Sequence, residues 1–126
     1  MAERFWPGPL TIIGAAHLAL PAEITAGSKT VGVRLPDDDK VRSLVRKCGG
    51  TLTATSANPS GAPPARTAAE VHGYFGDRIE LIIDGGPAST DQPSTVVDVT
   101  GSETKLIREG VIAWSVISQT QEKEDD

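Results

Sequence analysis

At 126 residues the chain suits a single domain with a modest core, and its 38% hydrophobic content includes no run near the ~18 apolar residues of a membrane span. One cysteine, Cys48, excludes an internal disulfide framework and cysteine-based zinc sites, and His17 and His72 alone form no metal-ligand cluster. The net charge is −5, but the terminal EKEDD carries −3 of it, so the body is nearly balanced and excludes neither a nucleotide nor an RNA partner.

Residues 1–20 lack the basic-then-apolar order of a signal peptide, which sets a cytoplasmic location as the expectation. The opening MAERFWPGPLT places Phe5 and Trp6 beside Pro7 and Pro9. Such an aromatic pair needs packing partners, and further sequence upstream of Met1 is expected to supply them.

Residues 10–16 (LTIIGAA) read as a strand, and 17–29, with Pro21 and Gly27, as an irregular link. A second strand, 30–35, stops at Pro36. The following helix has Asp37, Asp38 and Asp39 at its positive end, and Gly49-Gly50 closes it. Val41, Leu44, Val45 and Cys48 fall at i, i+3, i+4 and i+7, which makes Cys48 a core residue on the apolar face.

Strand 51–55 comes next, and then a loop. Thr67-Ala68-Ala69-Glu70 is a capping box for a helix whose apolar face is Val71, Tyr74 and Phe75. Residues 79–83 read as a strand, and 95–99 and 104–108 as an antiparallel pair. Residues 111–118 fit either a strand or a short helix. The expectation is one α/β domain over 1–118, a single twisted mixed sheet with flanking helices, followed by an acidic disordered tail at 119–126.

Several familiar sites are missing. There is no G-x-x-x-x-G-K-[ST], no G-x-G-x-x-G, and no G-x-S-x-G around Ser56. Ser102-x-x-Lys105, Ser56-x-Asn58 and Lys29-Thr30-x-Gly32 resemble penicillin-binding motifs, but in reversed chain order and in too short a chain.

The stretch TLTATSANPSG, 51–61, is more informative. Asn58-Pro59-Ser60-Gly61 suits a type I turn, which leaves Ser56 and Asn58 at the C-terminal end of a strand, the edge where α/β sheets hold ligands. Hydroxyl, amide and loop N–H groups there bind polar ligands without covalent chemistry. Arg34, at the end of another strand, would stand near Ser56 along a shared sheet edge and clamp a carboxylate or phosphate. Ser94-Thr95 adds two hydroxyls and Arg108 a second cation. A site of this kind positions anions and has no evident nucleophile, which suits phosphoryl or nucleotidyl transfer.

RFWPGPLTII, TVGVRLPD, TATSANPSG, IIDGGP, STVVDVTG and KLIREG resemble, in this order and spacing across residues 4–112, the YrdC family of threonylcarbamoyl-AMP synthases. The resemblance implies that ATP, bicarbonate and L-threonine combine to threonylcarbamoyl-AMP with release of pyrophosphate, Mg²⁺ accompanying ATP. The product serves a downstream threonylcarbamoyl transferase that modifies tRNA. By the same resemblance, Thr30, Ser56, Asn58 and Arg108 take nucleotide-side positions. Arg34, Ala54 (through its backbone) and Ser94 take the L-threonine side.

Three departures stand out. The family's segment ahead of the F-W-P-G-P block, with a basic K-x-R-like motif, has no counterpart here, and weak or no adenylation is expected of this chain alone. Pro64 stands where many relatives have serine. Asp91-Gln92-Pro93 precedes Ser94 where an acidic residue is common, and Glu109 replaces a common proline. The related carbamoyl-transfer domains belong to much larger chains with zinc-finger motifs. The alternative of another class is a non-catalytic module for tRNA or double-stranded RNA, using Lys40, Arg42, Arg46 and Lys47.

Overall fold

A computed structural model describes residues 1–124, which form two compact units. One comprises Met1–Leu52 with the residues from Gln92 onward, and the other Thr53–Asp91.

The first unit is built on a four-stranded mixed sheet. Its strands are β1 (Leu10–Ala15), β2 (Thr30–Val33), β3 (Thr95–Asp98) and β4 (Lys105–Arg108), in the order β2-β1-β3-β4. β1 runs antiparallel to β2 and parallel to β3, and β3 pairs antiparallel with β4. The fold class and the antiparallel 95–108 pair agree with the sequence reading. The β3–β4 register shifts between Val96 and Val97.

Alternation along the strands separates two faces. One carries Leu10 and Val97, which are fully buried with Ile117. Met1, Phe5, Trp6, Ile12, Ile112 and Trp114 pack against these three. Phe5 and Trp6 were expected to need cover from upstream sequence. They are instead half-buried on this chain's own core, with Trp6 Nε1 donating to the Leu10 carbonyl at 2.7 Å.

Helix α1 spans Ala2–Phe5 and the one-turn helix α2 Ala22–Thr25, the latter inside the expected irregular link. Helix α3, Asp39–Lys47, starts where the acidic run predicted: the Asp38 side chain accepts from the N–H groups of Lys40 and Val41. Its apolar face is not covered, however. Val41 and Leu44 are exposed and so is Cys48, which corrects the reading of Cys48 as a core residue. Periodicity fixes which face is apolar, and whether anything packs there is a tertiary matter.

The second unit holds α4 (Ala68–Phe75) and a 3₁₀ turn over Gly76–Arg78. Thr67 Oγ1 accepts from Glu70 N–H, and the Glu70 carboxylate accepts from Arg66 N–H, one residue earlier than the usual reciprocal bond. The strands expected at 51–55 and 79–83 do not form. Both runs have the right residues, but Leu52, Leu81 and Ile83 are half or more exposed. Neither run has a ladder partner among the described residues, and β-propensity without a neighbour and a buried face makes no strand.

The open choice at 111–118 resolves to helix α5, Trp114–Glu124. It continues through residues 119–124, where disorder was expected; residues 125–126 lie outside the described ones. The reason is tertiary. Thr120 is buried, and its Oγ1 accepts from Arg4 Nη1 at 2.6 Å while donating to the Val116 carbonyl at 3.0 Å. No helix among the described residues is long and apolar enough to cross a membrane.

Candidate functional site

In the sheet unit, Ser94 immediately precedes β3 and Arg108 ends β4. Arg108 Nη2 and Nε donate to the Ser94 carbonyl at 2.9 and 3.2 Å, and Nη2 lies 3.3 Å from Ser94 Oγ. Two residues from separate sequence blocks therefore meet across an antiparallel pair. Thr11 Oγ1 lies 2.8 Å from Ser94 Oγ on the other side. Sequence reasoning missed Thr11, because the parallel pairing of β1 with β3 is what brings it to Ser94.

Thr95 was expected to offer a second free hydroxyl, and here the structure corrects the reading. Thr95 is fully buried. Its Oγ1 donates to the Ile112 carbonyl and accepts from the N–H groups of Gly110 and Ile112. That uses its single proton and both lone pairs, leaving nothing for a ligand. Gly110 lies so close to the Pro93 carbonyl that a Cβ would collide with backbone. Thr95 and Gly110 thus fix the chain just after Arg108 against the segment bearing Ser94. Glu109, a departure from the family pattern, accepts from the Trp114 N–H at 2.7 Å and caps α5.

Arg34 follows β2, and its Nε donates to the Gly8 carbonyl at 3.0 Å. Gly8 N–H in turn donates to the Leu35 carbonyl at 2.9 Å, so the arginine stem is held against the WPGP turn. The two terminal guanidinium nitrogens make no hydrogen bond among the described residues. Thr30 opens β2 with its Oγ1 2.8 Å from Ser28 Oγ. Asp98, further along β3, accepts from Thr100 Oγ1 and N–H, and with Lys105 nearby its carboxyl is held below the ordinary range.

The second unit carries Ala54, Ser56 and Asn58. Ala54 and Ser56 are exposed and hydrogen-bond to nothing among the described residues. The expected Asn58–Gly61 type I turn is displaced by one residue. Ala62 N–H donates to the Pro59 carbonyl at 3.0 Å, with Gly61 third in that turn at φ +83°. A positive φ at this position is the mark of a type II turn and needs glycine, so the glycine and not the proline sets the register. Asn58 Nδ2 donates to the carbonyls of Pro59 and Ala62, while its Oδ1 is buried with no partner. Because residues 51–55 join no sheet, the shared sheet edge that was to set Arg34 beside Ser56 is absent.

Of the helix α3 cations, Arg42 is already engaged. It donates to the Pro36 carbonyl at 2.6 Å and pairs with Asp37 and Asp39.

Comparison with known proteins places these features. The Sua5_yciO_yrdC family model, described as telomere recombination, matches residues 1–110. A threonylcarbamoyl-AMP synthase of Pyrococcus abyssi is 40% identical over 110 residues, covering 87% of this chain and 32% of that protein. One from Thiobacillus denitrificans is 41% identical, covering 77% of this chain and 51% of its own length. Among solved structures, P. abyssi Sua5 complexed with L-threonine superposes with a TM-score of 0.89 at 38% identity, over 94% of this chain and 35% of that one. E. coli YciO gives a TM-score of 0.67 at 27% identity, over 85% and 52%. The chain therefore spans about a third to a half of the length of these relatives. Motif order, mixed-sheet topology and matched length agree: the chain belongs to the Sua5/YciO/YrdC family.

Proposed function

We propose that this chain provides the ATP and L-threonine contacts of a threonylcarbamoyl-AMP synthase. The observation that carries the reading is Arg108 seated on Ser94, a cation and a hydroxyl from separate motif blocks held at one end of the sheet. In this reading ATP, bicarbonate and L-threonine give threonylcarbamoyl-AMP, pyrophosphate and water. A threonylcarbamoyl transferase then uses the product to modify tRNA in the cytoplasm.

Arg34, Ser94 and the Ala54 backbone take L-threonine; Thr30, Ser56, Asn58 and Arg108 take the nucleotide. The free terminal nitrogens of Arg34 suit a carboxylate. The unpartnered Asn58 Oδ1 suits a ribose hydroxyl or an amino group as donor. No nucleophile is required, since bound substrates held in position, with charge offset by arginine, account for the chemistry. No group of three or more His, Cys, Asp or Glu side chains gathers among the described residues. In this reading Mg²⁺ is carried by the ATP phosphates, where it offsets charge on the departing pyrophosphate.

Calorimetric titration of the chain with L-threonine and with Mg-ATP tests this, followed by pyrophosphate release in the presence of bicarbonate. Saturable binding of both substrates, with Arg108→Ala weakening ATP about 10-fold or more, is the expected outcome. Salt-sensitive binding of double-stranded RNA or tRNA, with no binding of L-threonine, would replace this reading by an RNA-binding module.

A further inference from the structure

Thr11 is a β-branched residue with both of its γ atoms in use. Its Oγ1 lies 2.8 Å from Ser94 Oγ. Its methyl faces Gly32 on the neighbouring strand, where a Cβ added to the glycine would lie only 3.2 Å from Thr11 Cγ2. Such a side chain is stiff about χ1, so the seat of the methyl sets the direction of the hydroxyl. Gly32 provides that seat by having no side chain.

Ser94 Oγ has one proton and two lone pairs. Arg108 Nη2 can only donate, so at 3.3 Å it takes up one lone pair weakly. A Thr11 hydroxyl that donates takes up the other. The Ser94 proton is then left to point at an acceptor outside the protein, such as a carboxylate or carbonyl oxygen.

We infer that Thr11 is a positioning residue for substrate: its hydroxyl, aimed by the methyl resting over Gly32, donates to Ser94 Oγ and turns Ser94 into an oriented donor for L-threonine. This rests on the reading of Ser94 as an L-threonine contact. Arg108 is insulated from the effect, because its two shorter bonds go to the Ser94 main-chain carbonyl at 2.9 and 3.2 Å. Changes at Thr11 therefore act on L-threonine and spare ATP.

The test is calorimetric titration of the full 126-residue chain and its variants with L-threonine and, separately, with Mg-ATP. Thr11→Val keeps the shape and removes the donor, and should weaken L-threonine binding roughly 3- to 10-fold, about the scale of one hydrogen bond, with ATP affinity held within about twofold. Thr11→Ser keeps the hydroxyl and should bind L-threonine within about threefold of the unsubstituted chain. Gly32→Ala should weaken L-threonine binding by pressing on Cγ2. Adding Thr11→Ser to it should restore binding, since serine has no Cγ2 to be pressed.

Unchanged L-threonine affinity in Thr11→Val overturns the inference, as does an equal loss for both ligands or a failure of the Gly32→Ala, Thr11→Ser pair to recover. If the unsubstituted chain binds no L-threonine, the reading of the site falls and this inference with it. Normal binding that ignores Thr11 removes only the inference.

Discussion

The Thr95 hydroxyl grips Ile112 by both of its backbone groups, donating to the carbonyl at 2.6 Å and accepting from the N–H at 3.1 Å. The same oxygen accepts from the Gly110 N–H at 2.9 Å. Thr95→Val preserves the volume but leaves two N–H donors and a carbonyl without their partner. A loss of about 2–4 kcal/mol is expected in urea unfolding. Thr95→Ser, which keeps the hydroxyl, should lose clearly less. Equal losses would assign the effect to the methyl group.

Gly110 tests the other half of that fastening. A Cβ there would press on the Pro93 carbonyl and lie 2.7 Å from the Ser94 carbonyl carbon. Both are main chain and cannot swing aside. Gly110→Ala should cost about 1–3 kcal/mol and raise amide exchange at Val111, whose N–H donates to the Pro93 carbonyl at 3.0 Å. Unchanged exchange at Val111 would mean that the turn absorbs the methyl group.

These two residues show where the sequence was legible and where it was not. Asp38 and Thr67 cap the helices that their local patterns predicted, because a cap is decided within a few residues. All four sheet strands were readable for the same local reason. Thr95 was read as a hydroxyl on offer, because its three partners lie 15 and 17 residues away. Thr11 was passed over because Ser94 is 83 residues distant. Cys48, and the runs 51–55 and 79–83, went wrong in the opposite sense. Their patterns promised burial, and whether a partner is present is not a property of the pattern.

Asp98 gives a pH dependence with a defined sign. Its carboxyl is held below its ordinary value of 3.8, first by the Thr100 hydroxyl, then by the Thr100 N–H, with Lys105 adding to both. A depressed carboxyl contributes stability that is fully present above the unfolded value and lost as pH falls through the lower folded one. In urea unfolding, the difference between the unsubstituted chain and Asp98→Asn should be flat from neutral pH down to the ordinary carboxylate range. It should then close below pH 3.8. A difference that persists unchanged into strong acid would show that the charge is not its source.

Arg34 divides the two substrates most sharply. Its Nε is already spent on the Gly8 carbonyl at 3.0 Å, and the WPGP turn that supplies this carbonyl is itself tied back through Gly8 N–H to Leu35. The guanidinium is therefore held at its root, and its two terminal nitrogens are presented as a fork. A carboxylate with two oxygens fits such a fork with two parallel bonds. Lysine has one nitrogen at the end of a flexible stem, so it can hold Gly8 or meet a carboxylate, but not both in one geometry. On the proposed assignment of this site to L-threonine, Arg34→Lys should weaken L-threonine binding about 10-fold or more while ATP binding stays within about twofold. The turn supplies a control. If the lysine variant loses stability as well, a shift in its urea midpoint will show it, and ATP affinity will fall along with that of L-threonine. Equal effects on the two ligands at unchanged stability would remove Arg34 from the L-threonine side.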